Sequence, residues 1–169
     1  MIKREFYMAR IRPFIDGDLI KVLTGIRRSG KSVMLELIKD ELRVRGVTEE
    51  QLVAFNFEDM RNAQLCTAEA LHDELVRRAA SIKGKIYFFF DEIQEVERWE
   101  RCVNSLRVEM DCDIYITGSN AKLLSGELAT YLAGRYVEFI IYPFSFSEFL
   151  ALYHSVEPVC RHCVPASIA

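Results

Sequence analysis

The residues best suited to chemistry lie at Gly25-Ile26-Arg27-Arg28-Ser29-Gly30-Lys31-Ser32, followed by Val33. Glycine lets a backbone approach an anion closely and adopt φ > 0. Successive backbone N–H groups then form a concavity for phosphate oxygens. A helix opening behind them adds its positive N-terminal end. Lys31 is placed to reach β- and γ-phosphates, and the Ser32 hydroxyl to ligate Mg²⁺. With glycine near 7% of residues, this spacing arises by accident in roughly 1% of chains this long. Arg27 and Arg28 read as solvated loop side chains or as phosphate or partner contacts.

A second group follows the apolar run Ile86 to Phe90, which ends in Asp91-Glu92. An Asp at the end of a buried strand can hold Mg²⁺, usually through water. The neighbouring Glu can orient or deprotonate an attacking water. Glu92 is the residue that separates a hydrolase from a mere binder. A third group is Gly118-Ser119-Asn120, at the tip of the run Ile114 to Thr117. Ser119 or Asn120 can meet a γ-phosphate or a lytic water, or simply form a turn and cap. Finally, Arg135 precedes the last apolar run. There it is either a surface arginine or a finger reaching a phosphate on a neighbouring subunit.

Elements must position these groups. Apolar runs alternate with helical patterns, the signature of an α/β domain with a largely parallel sheet. Strands are expected at 19–24, 52–57, 85–90, 114–117 and 136–142. The run at 85–90 is apolar enough to be buried on both faces. Helices are expected over 31–45, from Thr67 to a stop at Gly84, over 96–110 and over 123–132. Ser145 and Glu148 have capping-box spacing for one more.

The chain has 169 residues, enough for one domain with a real core, and 28% of them are charged. A net charge of −3 argues against nucleic-acid binding by bulk charge. Lys3, Arg4, Arg10 and Arg12 do not form a convincing basic stripe. No apolar run is long enough to span a bilayer, and the N-terminus does not read as a signal peptide. The five cysteines read as reduced thiols, and the location as cytoplasmic. Cys160, His162 and Cys163 fall short of the four ligands usual for structural zinc.

With these features in order, the sequence resembles the AAA+ division of P-loop ATPases. More narrowly, it resembles bacterial and archaeal predicted ATPases with a GxRRxGKS loop, here GIRRSGKS. The likeness continues through FNFED (Phe55 to Asp59), FFFDEIQ (Phe88 to Gln94), ITGSNAKLL (Ile116 to Leu124) and LAGRYVEF…YPFSFSEF (Leu132 to Phe149). It covers residues 1–153; 154–169 read as an irregular tail rather than a domain.

The resemblance implies a three-layer α/β/α core with a mainly parallel five-stranded sheet. It implies that the fourth strand lies between the first and third, and that Asn120 is the sensor. It also supports Arg135 as a finger between subunits of a homo-oligomer. Relatives continue into a further C-terminal region, so the abrupt change after 153 reads as a truncated or frame-shifted relative. The expected function is ATP hydrolysis with Mg²⁺, driving a switch on a protein or nucleic-acid partner. The alternatives are a nucleotide-binding interaction module with little turnover and, less favoured, a small-molecule kinase. GTP is the weaker choice because no NKxD guanine-reading motif is present.

Overall fold

A computed structural model describes residues 3–118, Leu123 and 132–156 of the chain. The strands are β1 (Ile20–Thr24), β2 (Leu52–Asn56), β3 (Ile86–Asp91), β4 (Cys112–Thr117) and β5 (Tyr136–Ile140). They form one sheet in the order β2-β3-β4-β1-β5, and every neighbouring pair is parallel. The fourth strand does separate the first from the third. Among the described residues the α-helices with defined bounds are α1 (Glu5–Ile11), α2 (Lys31–Val44), α3 (Ala68–Ala79), α4 (Trp99–Glu109) and α5 (Phe146–Val156).

Side chains alternate across a pleated strand, and this divides the core in two. Ile20, Val22, Phe88, Phe90, Ile114 and Ile116 face α3 and α4. Leu23, Tyr87, Phe89 and Tyr115 face α1 and α2. The result is three layers, with the middle strands buried on both faces. Aromatic packing follows the same division. Phe88 stacks on Phe90 at 5.8 Å on one face, and Phe89 on Tyr115 at 4.9 Å on the other.

Local signals account for most boundaries. The Thr67 hydroxyl accepts from the N–H of Ala70 and starts α3. Gly46, at φ 92°, follows the end of α2. At α5 the capping box is closed in both directions. Ser145 Oγ accepts from the N–H of Glu148 at 3.2 Å, and Glu148 Oε2 from the N–H of Ser145 at 2.8 Å.

Some expectations need correction. Helix α3 ends at Ala79 rather than at Gly84, which instead turns the chain into β3 at φ 86°. Strand β3 takes in Asp91, so this carboxylate is fixed by the sheet rather than by a loop. Helix α4 starts at Trp99, because 93–95 form a separate 3-10 turn. Helix α5 runs past His154 to Val156. The N-terminal helix α1 was not anticipated, yet it buries Tyr7, Met8 and Ile11. The helix expected over 123–132 lies largely outside the described residues, as do Ser119, Asn120 and the 157–169 segment.

Candidate active site at the carboxyl ends of the central strands

In a parallel sheet all strands end on the same side. Strands β1, β4 and β3 are neighbours, so Gly25, Thr117 and Asp91 meet at one edge. Gly25 sits at φ 146°, and a Cβ there would lie 2.2 Å from the Ile141 carbonyl oxygen. Only glycine fits. Arg28 (φ 65°) and Gly30 (φ 92°) turn the loop back into α2. The first helical hydrogen bond runs from the N–H of Met34 to the carbonyl of Gly30 at 3.0 Å. The N–H groups of Lys31, Ser32 and Val33 therefore precede the ladder, with no helical acceptor. That is an anion-binding arrangement.

Lys31 is only 5% exposed. Its ammonium lies 3.3 Å from the Gly25 carbonyl oxygen and 3.5 Å from that of Ile26. It also lies 3.5 Å from Glu92 Oε1. The first two contacts are long for hydrogen bonds, so the cation is positioned without being saturated. Ile26, Arg27 and Arg28 are exposed at the rim. Arg27 lies 3.9 Å from Glu58. The Ser29 hydroxyl is buried, has no hydrogen-bond partner among the described residues, and would lie 2.9 Å from a Cβ added to Gly25.

The acidic pair is held by the neighbouring strand. The Thr117 hydroxyl donates to Asp91 Oδ1 and accepts from the N–H of Glu92 at 3.0 Å. One hydroxyl thus fixes both acids. Glu92 adopts a left-handed conformation, φ 53°. A non-glycine residue seldom does so outside functional or strained sites. Its second oxygen, Oε2, accepts from Gln94 Nε2 at 2.7 Å. Gln94 Oε1 is buried without a partner among the described residues and packs against Gly118, where an added Cβ would meet it at 2.1 Å. Gln94 and Thr117 were not singled out in the sequence. A side chain that acts through a neighbour leaves no spacing signal of its own.

Ser32 and Asp91 line one cleft of about 470 Å³ together with Asn56, Asp59 and Asn62. Both offer hard oxygen donors, and Asp91 is buried with one oxygen already fixed by Thr117. This donor set fits Mg²⁺, which takes one or two protein oxygens and completes its shell with phosphate and water. Among the described residues there is no cluster of three or more His, Cys, Asp or Glu able to hold a metal unaided.

Arg135 is exposed and lies elsewhere. Its carbonyl accepts from the N–H of Ile20, at the opposite end of β1 from the phosphate loop. Five residues of strand separate the two, about 17 Å. The residue is therefore outside the site of its own chain. No described helix is long and apolar enough to cross a membrane.

Comparison with known proteins agrees with this architecture. A family described as "AAA domain" matches residues 18–150. An uncharacterized protein of Haemophilus influenzae is 50% identical over 150 residues, covering 89% of this chain and 38% of its own length. The uncharacterized protein MJ1544 of Methanocaldococcus jannaschii is 40% identical over 132 residues, covering 78% of this chain and 28% of its own. This chain thus spans well under half of either relative.

Among solved structures, Hsp104 in its closed state with ATPγS and casein superposes with a TM-score of 0.61 at 17% identity. The aligned part covers 92% of this chain and 29% of that one. DnaA of Aquifex aeolicus bound to AMPPCP gives 0.57 at 14% identity, covering 89% and 49%. At such identities the likeness concerns the fold. The family match spans most of the chain, and the five-stranded parallel sheet flanked by helices is that of the P-loop NTPase fold: the chain belongs to the AAA domain family.

Proposed function

We propose that this chain binds ATP with Mg²⁺ at 25–33 and hydrolyses it to ADP and phosphate, using the cycle to switch a partner. One observation carries the reading. The Lys31 ammonium and the Glu92 carboxylate face each other at 3.5 Å beside a glycine-shaped loop, with Asp91 fixed by Thr117 next to them. A triphosphate entering the loop gives Lys31 a stronger anionic partner. Glu92 is then freed to accept a proton from water and direct it at the γ-phosphorus. Ser32 and Asp91 would hold Mg²⁺, which supplies charge neutralisation at the phosphate oxygens. The free N–H groups of 31–33 hold the phosphates through the reaction. Asn120 would complete the site as sensor. Arg135 would act only from a neighbouring copy, since within its own chain it is on the far side of the sheet.

A second reading is a nucleotide-binding interaction module with little turnover. Both oxygens of Glu92 are engaged, by Lys31 and Gln94, which favours a resting carboxylate. Phosphate release by the parent protein, Lys31→Ala and Glu92→Gln separates the two. Turnover lost in both variants supports hydrolysis. Binding without turnover in the parent supports the module. Turnover that survives both changes refutes the site. The partner, protein or nucleic acid, is part of the proposal, as is a cytoplasmic location.

A further inference from the structure

We propose that Arg4 is a positioning residue that couples helix α5 to the phosphate loop. Its guanidinium is nearly sealed from solvent, with the residue 2% exposed. Three donors leave it in three directions. Nη1 donates to the Ser29 carbonyl at 2.8 Å, Nη2 to the Tyr142 carbonyl at 2.6 Å, and Nε to Glu148 Oε1 at 3.0 Å. The rings of Tyr7 and Phe144 lie 4.6 and 5.2 Å from the guanidinium carbon. One buried cation therefore joins the phosphate loop, the chain leaving β5 and the first turn of α5.

The contact with Ser29 has a direct consequence. In a trans peptide the carbonyl and the next N–H point in opposite directions. Fixing the Ser29 carbonyl on Arg4 fixes the N–H of Gly30 on the opposite side of that peptide, so Arg4 sets the aim of a phosphate-loop amide. The approach is close, since a Cβ on Gly30 would lie 3.2 Å from Nη1. The counter-charge comes from Glu148. Burial raises its pKa, but hydrogen bonds from the Ser145 N–H and from Arg4 outweigh this and leave it below the ordinary value. Glu148 stays ionised at neutral pH and holds Arg4 in place.

On α5, Phe146, Phe149 and Tyr153 are 77%, 52% and 51% exposed, whereas Glu148 turns inward to Arg4. Displacing α5 withdraws the charge that orients Arg4, and the loop loses its brace. By reciprocity, an anion that orders the loop must also steady α5.

Amide hydrogen exchange on the full chain tests this in the absence of nucleotide. In Glu148→Ala and in Arg4→Lys, amides in 25–32 should exchange about tenfold faster or more, with β3 and β4 unchanged. Unchanged loop exchange in both variants overturns the proposal, as does an equal rise throughout the sheet. The link to nucleotide rests on the ATP-binding reading and is measured separately. Mg-ATP should slow exchange in α5 of the parent and have no such effect in Arg4→Lys. If Mg-ATP does not bind the parent, that reading fails while loop exchange still decides the role of Arg4. If it binds and α5 does not respond, the coupling is wrong.

Discussion

Replacing Asp113 with Asn should weaken the fold severely without touching the phosphate loop. Lys21 and Asp113 are both fully buried, at the opposite end of the sheet from Gly25. The Lys21 ammonium donates to Asp113 Oδ1 and, at 2.8 Å, to the Gly17 carbonyl. Asp113 Oδ2 accepts from the Tyr115 hydroxyl at 2.8 Å and from the N–H of Asp16 at 2.9 Å. Breaking such a pair strands a charge and costs about 3–5 kcal/mol. At about 2–4 °C per kcal/mol for a chain of this size, the melting temperature should fall by about 6–20 °C.

The dependence on pH carries a sign. Burial lowers the pKa of Lys21, and Asp113 opposes that lowering. The unfolded chain therefore binds the proton more tightly than the folded one. Stability tied to this group rises with pH between the folded and unfolded values. Removing Asp113 widens that window, so the deficit of Asp113→Asn should shrink as pH is raised toward 10. Thermal unfolding at pH 7 and pH 9.5 measures both effects. Adding Lys21→Met should recover at least half of the loss. A loss below about 1 kcal/mol, or a deficit that grows with pH, refutes the reasoning.

Gly25→Ala should abolish nucleotide binding, because the new Cβ collides with the Ile141 carbonyl; equilibrium dialysis checks this. Thr117→Val removes the hydroxyl that fixes Asp91 and leaves the N–H of Glu92 without its acceptor. It should cost about 1–3 kcal/mol in denaturant unfolding. Burial pushes the Cys102 thiol up to about 12 and that of Cys112 up to about 11. Iodoacetamide at pH 8, mapped by mass spectrometry, should label them only after denaturation; equal native and denatured rates would contradict this.

The fold was largely legible because its signals are local. Apolar runs mark the strands, and Thr67, Gly46 and the Ser145–Glu148 box mark helix ends. The 25–32 loop and the Asp91-Glu92 pair can be proposed from the sequence because the residues each reading needs are contiguous. Strand order was not visible in periodicity and came from the resemblance. What remained hidden depends on distant pairs. Lys21 in LIKVLT looks like the solvated member of an alternating strand, and nothing near it points to Asp113, 92 residues on. Arg4 looks like one of several basic residues near the N-terminus, although it is buried against Ser29 and Glu148. Gln94 belongs to the FFFDEIQ segment, but its hold on Glu92 depends on a turn that spacing does not reveal.

In the proposed reaction the 25–33 loop binds a triphosphate through Lys31, while Glu92 serves the step after binding. Titration of a fluorescent ATP analogue with Mg²⁺ into the parent protein, Lys31→Ala and Glu92→Gln separates these two roles. Glu92→Gln should bind at least as well as the parent, since it removes the carboxylate that competes for Lys31. Lys31→Ala should bind at least about tenfold more weakly, the worth of a charge-assisted contact. Equal affinity for the parent and Lys31→Ala would contradict the account.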